Sequence, residues 1–222
     1  MLAIRNIFAF VFLLNIGFNN TFYAQKQRVI VVPYDRFQFI SQYPLDEIAT
    51  ANQVQQSEVF TVYQQNLIES FLSFNNEEIE FVGLTPIEQL ALRKKTKYQL
   101  EKFKGKKYNA TNLNLLSEQD FKNLLEQHQA NYILFVNWYA IEKSVHIAYV
   151  GDNNKRYPFS LHLLDFDVYN KEKVKILGKG NVKLYCGEFP SNQLIEEKSL
   201  KASSLISCYK QLVSDLTLLF KN

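Results

Sequence analysis

The stretch LHLLDFDVYNKEKVKIL, residues 161–177, holds the residue types that most suggest chemistry. His162 and two carboxylates, Asp165 and Asp167, are the kinds of side chain from which metal sites and acid–base pairs are built. Either site requires the side chains to converge, and acid–base work also needs two carboxyls in different, shielded surroundings. The element that carries these residues therefore decides whether they form a site.

Alternating apolar and polar residues predict a strand over 157–169 and a second strand over 173–185. Successive side chains of a strand point to opposite faces. Asp165 and Asp167 then share one face, and His162 lies on the other. The three polar residues cannot converge from a regular strand, so we interpret the stretch as a hairpin and not as a metal or acid–base site.

The turn of this hairpin sets the predicted register. A three-residue turn, Tyr169–Lys171, places Asp167 opposite Lys173 and Asp165 opposite Lys175, and it keeps the apolar residues together on the other face. We therefore expect both aspartates on a solvated face, as cross-strand charge partners of the two lysines. We expect a helix to cover the apolar face.

None of the three histidines is expected to form a site. His162 faces inward opposite Gly178, whose missing side chain leaves room for an imidazole, and we interpret it as a satisfied core residue. His128 lies beside the apolar stripe of a helix, and His146 alternates with apolar residues in a strand and should be exposed.

Motifs of several enzyme classes are absent from the sequence. It has no dinucleotide-binding glycine motif, P-loop, zinc-protease motif or nucleophile elbow. We therefore predict no catalytic residues, no metal and no cofactor, and we expect that the protein is not an enzyme. An unrecognised hydrolase is the third hypothesis for its function.

Residues 1–24 have the pattern of a secretory signal peptide. Arg5 precedes an apolar run from Ile7 to Leu14, and a polar stretch ends at Ala24, the expected cleavage point. The run is shorter than the roughly 20 apolar residues of a spanning helix, so we predict a periplasmic or secreted protein that does not span the membrane. The remaining 25–222 is expected to form a single domain.

Both cysteines, Cys186 and Cys208, belong to the exported part, where oxidation is permitted. A disulfide between them would close a loop of about 22 residues. The alternative is two semi-buried free thiols, because Cys208 lies on the flank of an apolar helix stripe. Two cysteines without a nearby histidine are too few ligands for a metal.

Hydrophobic periodicity predicts the element order βαβααβββα. The first strand is RVIVVPY, and a helix leads to a parallel strand, EIEFVGL. Helices capped by Thr85 and Ser117 follow, and a long helix with an apolar stripe ends the chain. The fold class is therefore α/β, a two-layer sandwich with a mixed sheet of about five strands and one partly solvated sheet face.

The segment 93–107 is the most basic part of the chain. It holds eight cations and one acid, Glu101, whereas the rest of the exported chain sums to −5. One interpretation is a solvated helix face that runs into a loop. The other is a patch for an anionic partner, to which export makes nucleic acid an unsuitable candidate. The cations of this patch are Arg93, Lys94, Lys95, Lys97, Lys102, Lys104, Lys106 and Lys107.

Three pieces of the chain together resemble a known family: RVIVVPY before a helix, HQANYILFVNW as a helix end and strand, and LHLLDFDVYNKEKVKILGKG as a hairpin. They are similar to the small α/β domain shared by the TolB N-terminal domain, the curli secretion protein CsgG and the penicillin-binding-protein activator LpoB. The chain lacks the lipidation cysteine of CsgG and LpoB and the propeller repeats of TolB. The resemblance implies a non-catalytic bacterial envelope domain that docks other proteins.

The leading functional hypothesis is thus an exported envelope protein that acts as a protein-interaction module. The second is a binder of an anionic envelope component, a lipid headgroup or a glycan, through 93–107. The expected partner is an envelope protein under the first hypothesis and an anionic lipid or glycan under the second. Neither hypothesis involves nucleic acid.

Overall fold

The computed structural model describes residues 26–74, 76–150, 153–184 and 198–220. In these ranges the chain forms a mixed sheet of six strands, a second sheet of two strands and five α-helices. The strands are β1 (Gln27–Val32), β2 (Phe39–Ser41), β3 (Ile79–Gly83), β4 (Lys97–Phe103), β5 (Lys106–Asn112), β6 (Tyr132–Val150), β7 (Asn153–Asn170) and β8 (Lys175–Lys183). The helices are α1 (Leu45–Asn52), α2 (Val59–Leu72), α3 (Pro86–Lys94), α4 (Glu118–Gln127) and α5 (Ile206–Thr217). The predicted α/β class, with its mixed sheet and C-terminal helix, is confirmed.

The main sheet has the strand order β3-β1-β6-β7-β8. Strand β1 is parallel to both β3 and β6, whereas β7 is antiparallel to both of its neighbours, β6 and β8. The short β2 pairs with β6 beyond the end of β1. The parallel pair β1 and β3, joined through α2, is the strand–helix–strand unit that the sequence predicts.

Apolar residues of β1 pack on both faces of the sheet, because its side chains alternate. Val29 and Val31 belong to a large core under α2 and α5, whereas Ile30 and Val32 belong to a smaller core under α3 and α4. This burial on both faces explains why the sequence of β1 is a continuous apolar run.

Two helices begin where their capping residues predict. The Thr85 side chain and the Glu88 side chain each bond the other's backbone N–H, a complete capping box before α3. The Ser117 hydroxyl accepts from the N–H of Asp120 at the start of α4. No helix among the described residues is both long and apolar enough to cross a membrane.

The basic segment differs from its predicted conformation. Only Arg93 and Lys94 belong to a helix, and the chain from Lys97 onward forms the antiparallel hairpin β4–β5. Its turn residues, Lys104 and Gly105, have φ of 47° and 83°, which is the sign that the tight two-residue turns of hairpins require. The interpretation as a helix face running into a loop was therefore wrong.

Candidate functional site

Asp165 and Asp167 of β7 lie beneath the hairpin β4–β5 and not in solvent. Their exposed fractions are 3% and 0%. The prediction of a solvated face was therefore wrong, because it did not include a second sheet that covers this face. The apolar prediction was correct: Leu164 and Phe166 are buried in the core that contains α5.

The predicted hairpin register was also wrong. Strand β8 begins at Lys175, and Tyr169 pairs with that residue. Asp167 lies opposite Gly178 and not opposite Lys173. The physical reason is a longer turn, together with two irregularities in the β7–β8 pairing that apolar alternation does not reveal.

The carboxylate of Asp167 is fully hydrogen-bonded to the hairpin and to β6. Its Oδ2 accepts from the backbone N–H of Thr111 at 2.6 Å and from Nδ2 of Asn137 at 2.8 Å. Its Oδ1 accepts from the hydroxyl of Tyr108. A buried carboxylate is tolerated because donors surround both of its oxygens.

Asp165 makes the same kind of contact two residues earlier in the strand. Its Oδ2 accepts from the backbone N–H and from Nδ2 of Asn109, each at 2.8 Å. Its Oδ1 accepts at 2.7 Å from the N–H of Asn181, a residue with φ of 54° in the irregular part of β8. This carboxylate therefore joins β8 to the hairpin.

The buried polar groups between β7 and the hairpin β4–β5 are called the polar layer. Asn137 reaches this layer because of a β-bulge. The β6–β7 register shifts between Val136 and Trp138, so Asn137 has no partner residue on β7. Its Nδ2 also donates to the carbonyl of Asn109 at 3.0 Å, and its Oδ1 accepts from the Thr111 hydroxyl. The bulge turns one amide side chain into a third attachment point for β5.

Two glycines of β8 form the floor on which Tyr108 rests. A Cβ atom at Gly178 would collide with the Tyr108 hydroxyl, and one at Gly180 would collide with the Tyr108 Cβ. The glycines are therefore required by this close approach and not by a turn.

Lys175 is the cation of the layer. Its Nζ lies 2.8 Å from Glu101 Oε2 and 3.3 Å from Asp167 Oδ1, and it donates to the Tyr108 hydroxyl at 2.9 Å. Burial raises the pKa of Asp167, an effect that the hydrogen bonds and the nearby Lys175 oppose. Burial raises the pKa of Tyr108, as does its bond to Asp167, so Tyr108 keeps its proton and acts as the donor.

This arrangement supports attachment of the hairpin better than it supports chemistry. Asp165 and Asp167 bind the N–H groups of Asn109 and Thr111, on the edge of β5 that faces away from β4. An edge strand needs partners for its free N–H groups, and the carboxylates supply them. Within the described ranges, no group of three or more His, Cys, Asp or Glu side chains could hold a metal ion.

His162 is buried on the opposite face, as predicted for a core histidine, but it does not lie opposite Gly178, which pairs with Asp167. Its Nε2 lies 2.7 Å from the Ser199 carbonyl, and its Nδ1 lies 2.8 Å from the Tyr139 hydroxyl, which lies 2.8 Å from that of Tyr209. The Ser199 carbonyl requires an N–H donor, so Nε2 carries the proton and Nδ1 accepts from Tyr139. Burial lowers the pKa of His162 to about 4, so the ring is neutral near pH 7.

The basic segment divides into paired and free cations. Arg93 pairs with Asp35 at 2.6 Å, and Lys95 pairs with Asp120 at 2.8 Å. The other six are exposed and form no ion pair with a described residue: Lys94, Lys97, Lys102, Lys104, Lys106 and Lys107. The last four surround the hairpin turn. We call Lys102, Lys104, Lys106 and Lys107 the tip lysines.

The hairpin also exposes one large apolar side chain, Leu100 of β4, at 75%. Near the turn, a cleft of about 660 Å³ is lined by Lys104, by Lys171 and Glu172 of the β7–β8 turn, and by Phe220. Its lining therefore combines charged side chains of both signs with apolar ones.

The predicted disulfide partners differ in how far they can be described. Cys208 of α5 is fully buried. Cys186 lies outside the described residues, as do residues 1–24 with the predicted signal peptide. The pairing of the two cysteines stays a prediction.

The side chains that donate hydrogen bonds to the aspartates were not predicted from the sequence. Tyr108 and Asn137 carry no local motif, and only the folded sheet brings them to β7. One signal was available: two glycines alternate in a strand, at Gly178 and Gly180, and such glycines indicate that another chain segment approaches closely.

No protein-family model matches the chain, and no curated protein matches it. One solved structure with a weak likeness is a neuraminyllactose-binding hemagglutinin homolog from Helicobacter pylori, at 11% identity and a TM-score of 0.35. The likeness covers 88% of this chain and 82% of that one.

Proposed function

We propose that this protein is an exported, non-catalytic interaction module of the bacterial cell envelope, and that the tip lysines of the hairpin β4–β5 contact an acidic surface of an envelope protein. The observation that carries the proposal is the set of four exposed lysines, unpaired among the described residues, on a hairpin attached to the main sheet. Exposed like charges that form no ion pair within the fold favour attraction of an oppositely charged partner.

The attachment of the hairpin supports this function. Binding weakens when a flexible segment must be ordered, and a preorganised surface avoids that cost. Asp165, Asp167 and Asn137 hold the β5 backbone at three points, and Tyr108 rests on the glycine floor. The buried polar groups of the layer thus serve to present the lysines, which fits a binding role better than catalysis.

The test is recovery of the partner from an envelope extract with two variants of equal charge. The first carries Gln at all four tip lysines. The control carries Gln at four exposed lysines elsewhere: Lys155, Lys183, Lys201 and Lys210. Both variants should keep the parent's thermal stability, because exposed charges contribute little to folding.

The expected result is that the tip variant loses a protein that the parent and the control both recover. The contact should also weaken steeply as salt is raised, because exposed charges are screened. Equal recovery by the tip variant and the parent at low ionic strength would refute the hairpin as the contact surface.

A second candidate function is binding of an anionic lipid headgroup or glycan through the same segment. Leu100, exposed beside the lysines, favours this candidate because it adds apolar contact to charge attraction. Binding of purified anionic glycans or lipids by the parent and the control, but not by the tip variant, would support it over a protein partner.

A further inference from the structure

Helix α3 turns most of its apolar side chains outward and, apart from Leu92, packs inward through polar residues. Ile87 and Leu90 are 82% and 58% exposed, and Ala91 is exposed beside them. These residues are three and four positions apart, so they form one face of the helix. Only Leu92 of α3 is buried. Single exposed apolar residues are common, whereas a whole apolar helix face turned to solvent indicates an interaction surface.

The polar side chains of α3 explain this orientation. Glu88 bonds Thr85 in the capping box, and its Oε1 lies 2.9 Å from Nε2 of His128 at the end of α4. Gln89 donates to the Leu84 carbonyl at 3.0 Å. Hydrogen bonds from Thr85, followed by His128, lower the pKa of Glu88 to about 2. The only acid of α3 is therefore ionised, engaged and absent from the outer face.

A third large apolar side chain, that of Phe37, is held near the end of α3. Arg93 pairs with Asp35 at 2.6 Å and donates to the Tyr34 carbonyl at 3.2 Å. These contacts join the turn after β1 to the last turn of α3. The turn after β1 carries Phe37, which is 89% exposed, next to the exposed Arg36.

The charges on this surface are cationic. Lys94 continues the outer face of α3, four residues after Leu90, and Lys97 opens β4 directly afterwards. Both are exposed and form no ion pair with a described residue. Apolar side chains beside cations, with no unpaired acid on the helix, complement an apolar interior beneath anionic headgroups. We call Phe37, Ile87, Leu90, Arg36, Lys94 and Lys97 the α3 surface.

We propose that the α3 surface seats this protein on an anionic lipid bilayer, with Ile87, Leu90 and Phe37 entering the headgroup region. This goes beyond the proposed function and does not rest on it, because the tip lysines take no part. The two contacts are compatible, since a bilayer-seated domain can still present its hairpin to a protein.

The experiment measures sedimentation of the purified exported chain with vesicles. One set of vesicles is pure phosphatidylcholine, and the other contains phosphatidylglycerol. We expect binding to the anionic vesicles that weakens as salt is raised. The variant Lys94→Gln/Lys97→Gln should bind about 25-fold more weakly, because each lysine near an anionic surface contributes a free energy worth roughly a fivefold change in affinity.

The apolar part is tested by Ile87→Gln/Leu90→Gln, which should weaken binding on the order of tenfold. Glutamine keeps the helix, and neither residue is buried, so the variant should fold. The matched control is Val174→Gln/Leu218→Gln, at residues 55% and 58% exposed elsewhere, and it should bind like the parent.

Two outcomes would overturn the proposal. One is a parent that does not sediment with anionic vesicles at low salt. The other is an Ile87→Gln/Leu90→Gln variant that binds as well as the parent while its circular dichroism is unchanged. That result would show that the protein binds the vesicles through its charges alone. Neither outcome affects the tip-lysine test, because that test changes different residues and recovers a protein.

Discussion

The backbone N–H of Thr111 donates a 2.6 Å hydrogen bond to Oδ2 of Asp167, and this bond joins the hairpin β4–β5 to the main sheet. Asn109 repeats the contact with Asp165 at 2.8 Å. Residues two apart have the same spacing on both strands, so two carboxylates on one face match two N–H groups on one edge. A D-x-D pattern can therefore hold a strand edge.

Replacement of Asp167 by asparagine should destabilise the protein. The amide replaces one carboxylate oxygen with an NH2 group, so a donor then faces either the Thr111 N–H or the Tyr108 hydroxyl, and the charge opposite Lys175 is lost. The free energy of unfolding should therefore fall by about 3 kcal/mol. Urea denaturation measures this loss. The control Glu77→Gln, at an exposed position, should change it by less than about 0.5 kcal/mol. A loss for Asp167→Asn as small as the control's would contradict the attachment role.

The glycine floor predicts a local effect of Gly180→Ala. The new Cβ would collide with Tyr108, so the hairpin must move, and the free energy of unfolding should fall by about 1–3 kcal/mol. Amide hydrogen exchange should quicken in β5 before it does so in β1. At Gly83 a Cβ would meet Leu72 at 3.5 Å, an ordinary contact, so Gly83→Ala should leave β5 protection unchanged.

His162 predicts a pH dependence of stability. Its pKa falls from 6.5 to about 4 on folding, so the unfolded chain binds more protons between these values, and stability rises with pH across that window. The rise should reach about 3 kcal/mol between pH 4 and 6.5. His162→Gln should remove this component of the slope in chemical denaturation. His146→Gln, at a partly exposed position, should keep it, and an equal slope in His162→Gln would exclude His162 as its source.

The two cysteines predict a redox-dependent stability. Purified, unreduced protein should contain no titratable thiol, and reduction should lower the free energy of unfolding by roughly 3 kcal/mol for a loop of about 22 residues. Thiol titration in denaturant measures the first quantity, and denaturation with and without a reductant measures the second. Two free thiols before reduction would show that Cys186 and Cys208 are not bridged.

Local sequence signals predicted the elements that depend on nearest neighbours. Thr85 and Ser117 mark helix starts because capping involves residues only three positions apart. The alternation in β7 separated His162 from Asp165 and Asp167, because side-chain direction along a strand is a local property. These predictions concern residues within one element, and the structure bears them out.

The sequence by itself determined that β7 carries its aspartates on one face and its histidine on the other. It could not say what lies against each face. The tertiary structure alone decided that β4–β5 covers the aspartates, because their partners Asn109 and Thr111 lie 56 positions away in the chain. A carboxylate on an open face and one under an edge strand have the same local pattern, and only the donors brought by distant chain segments distinguish them.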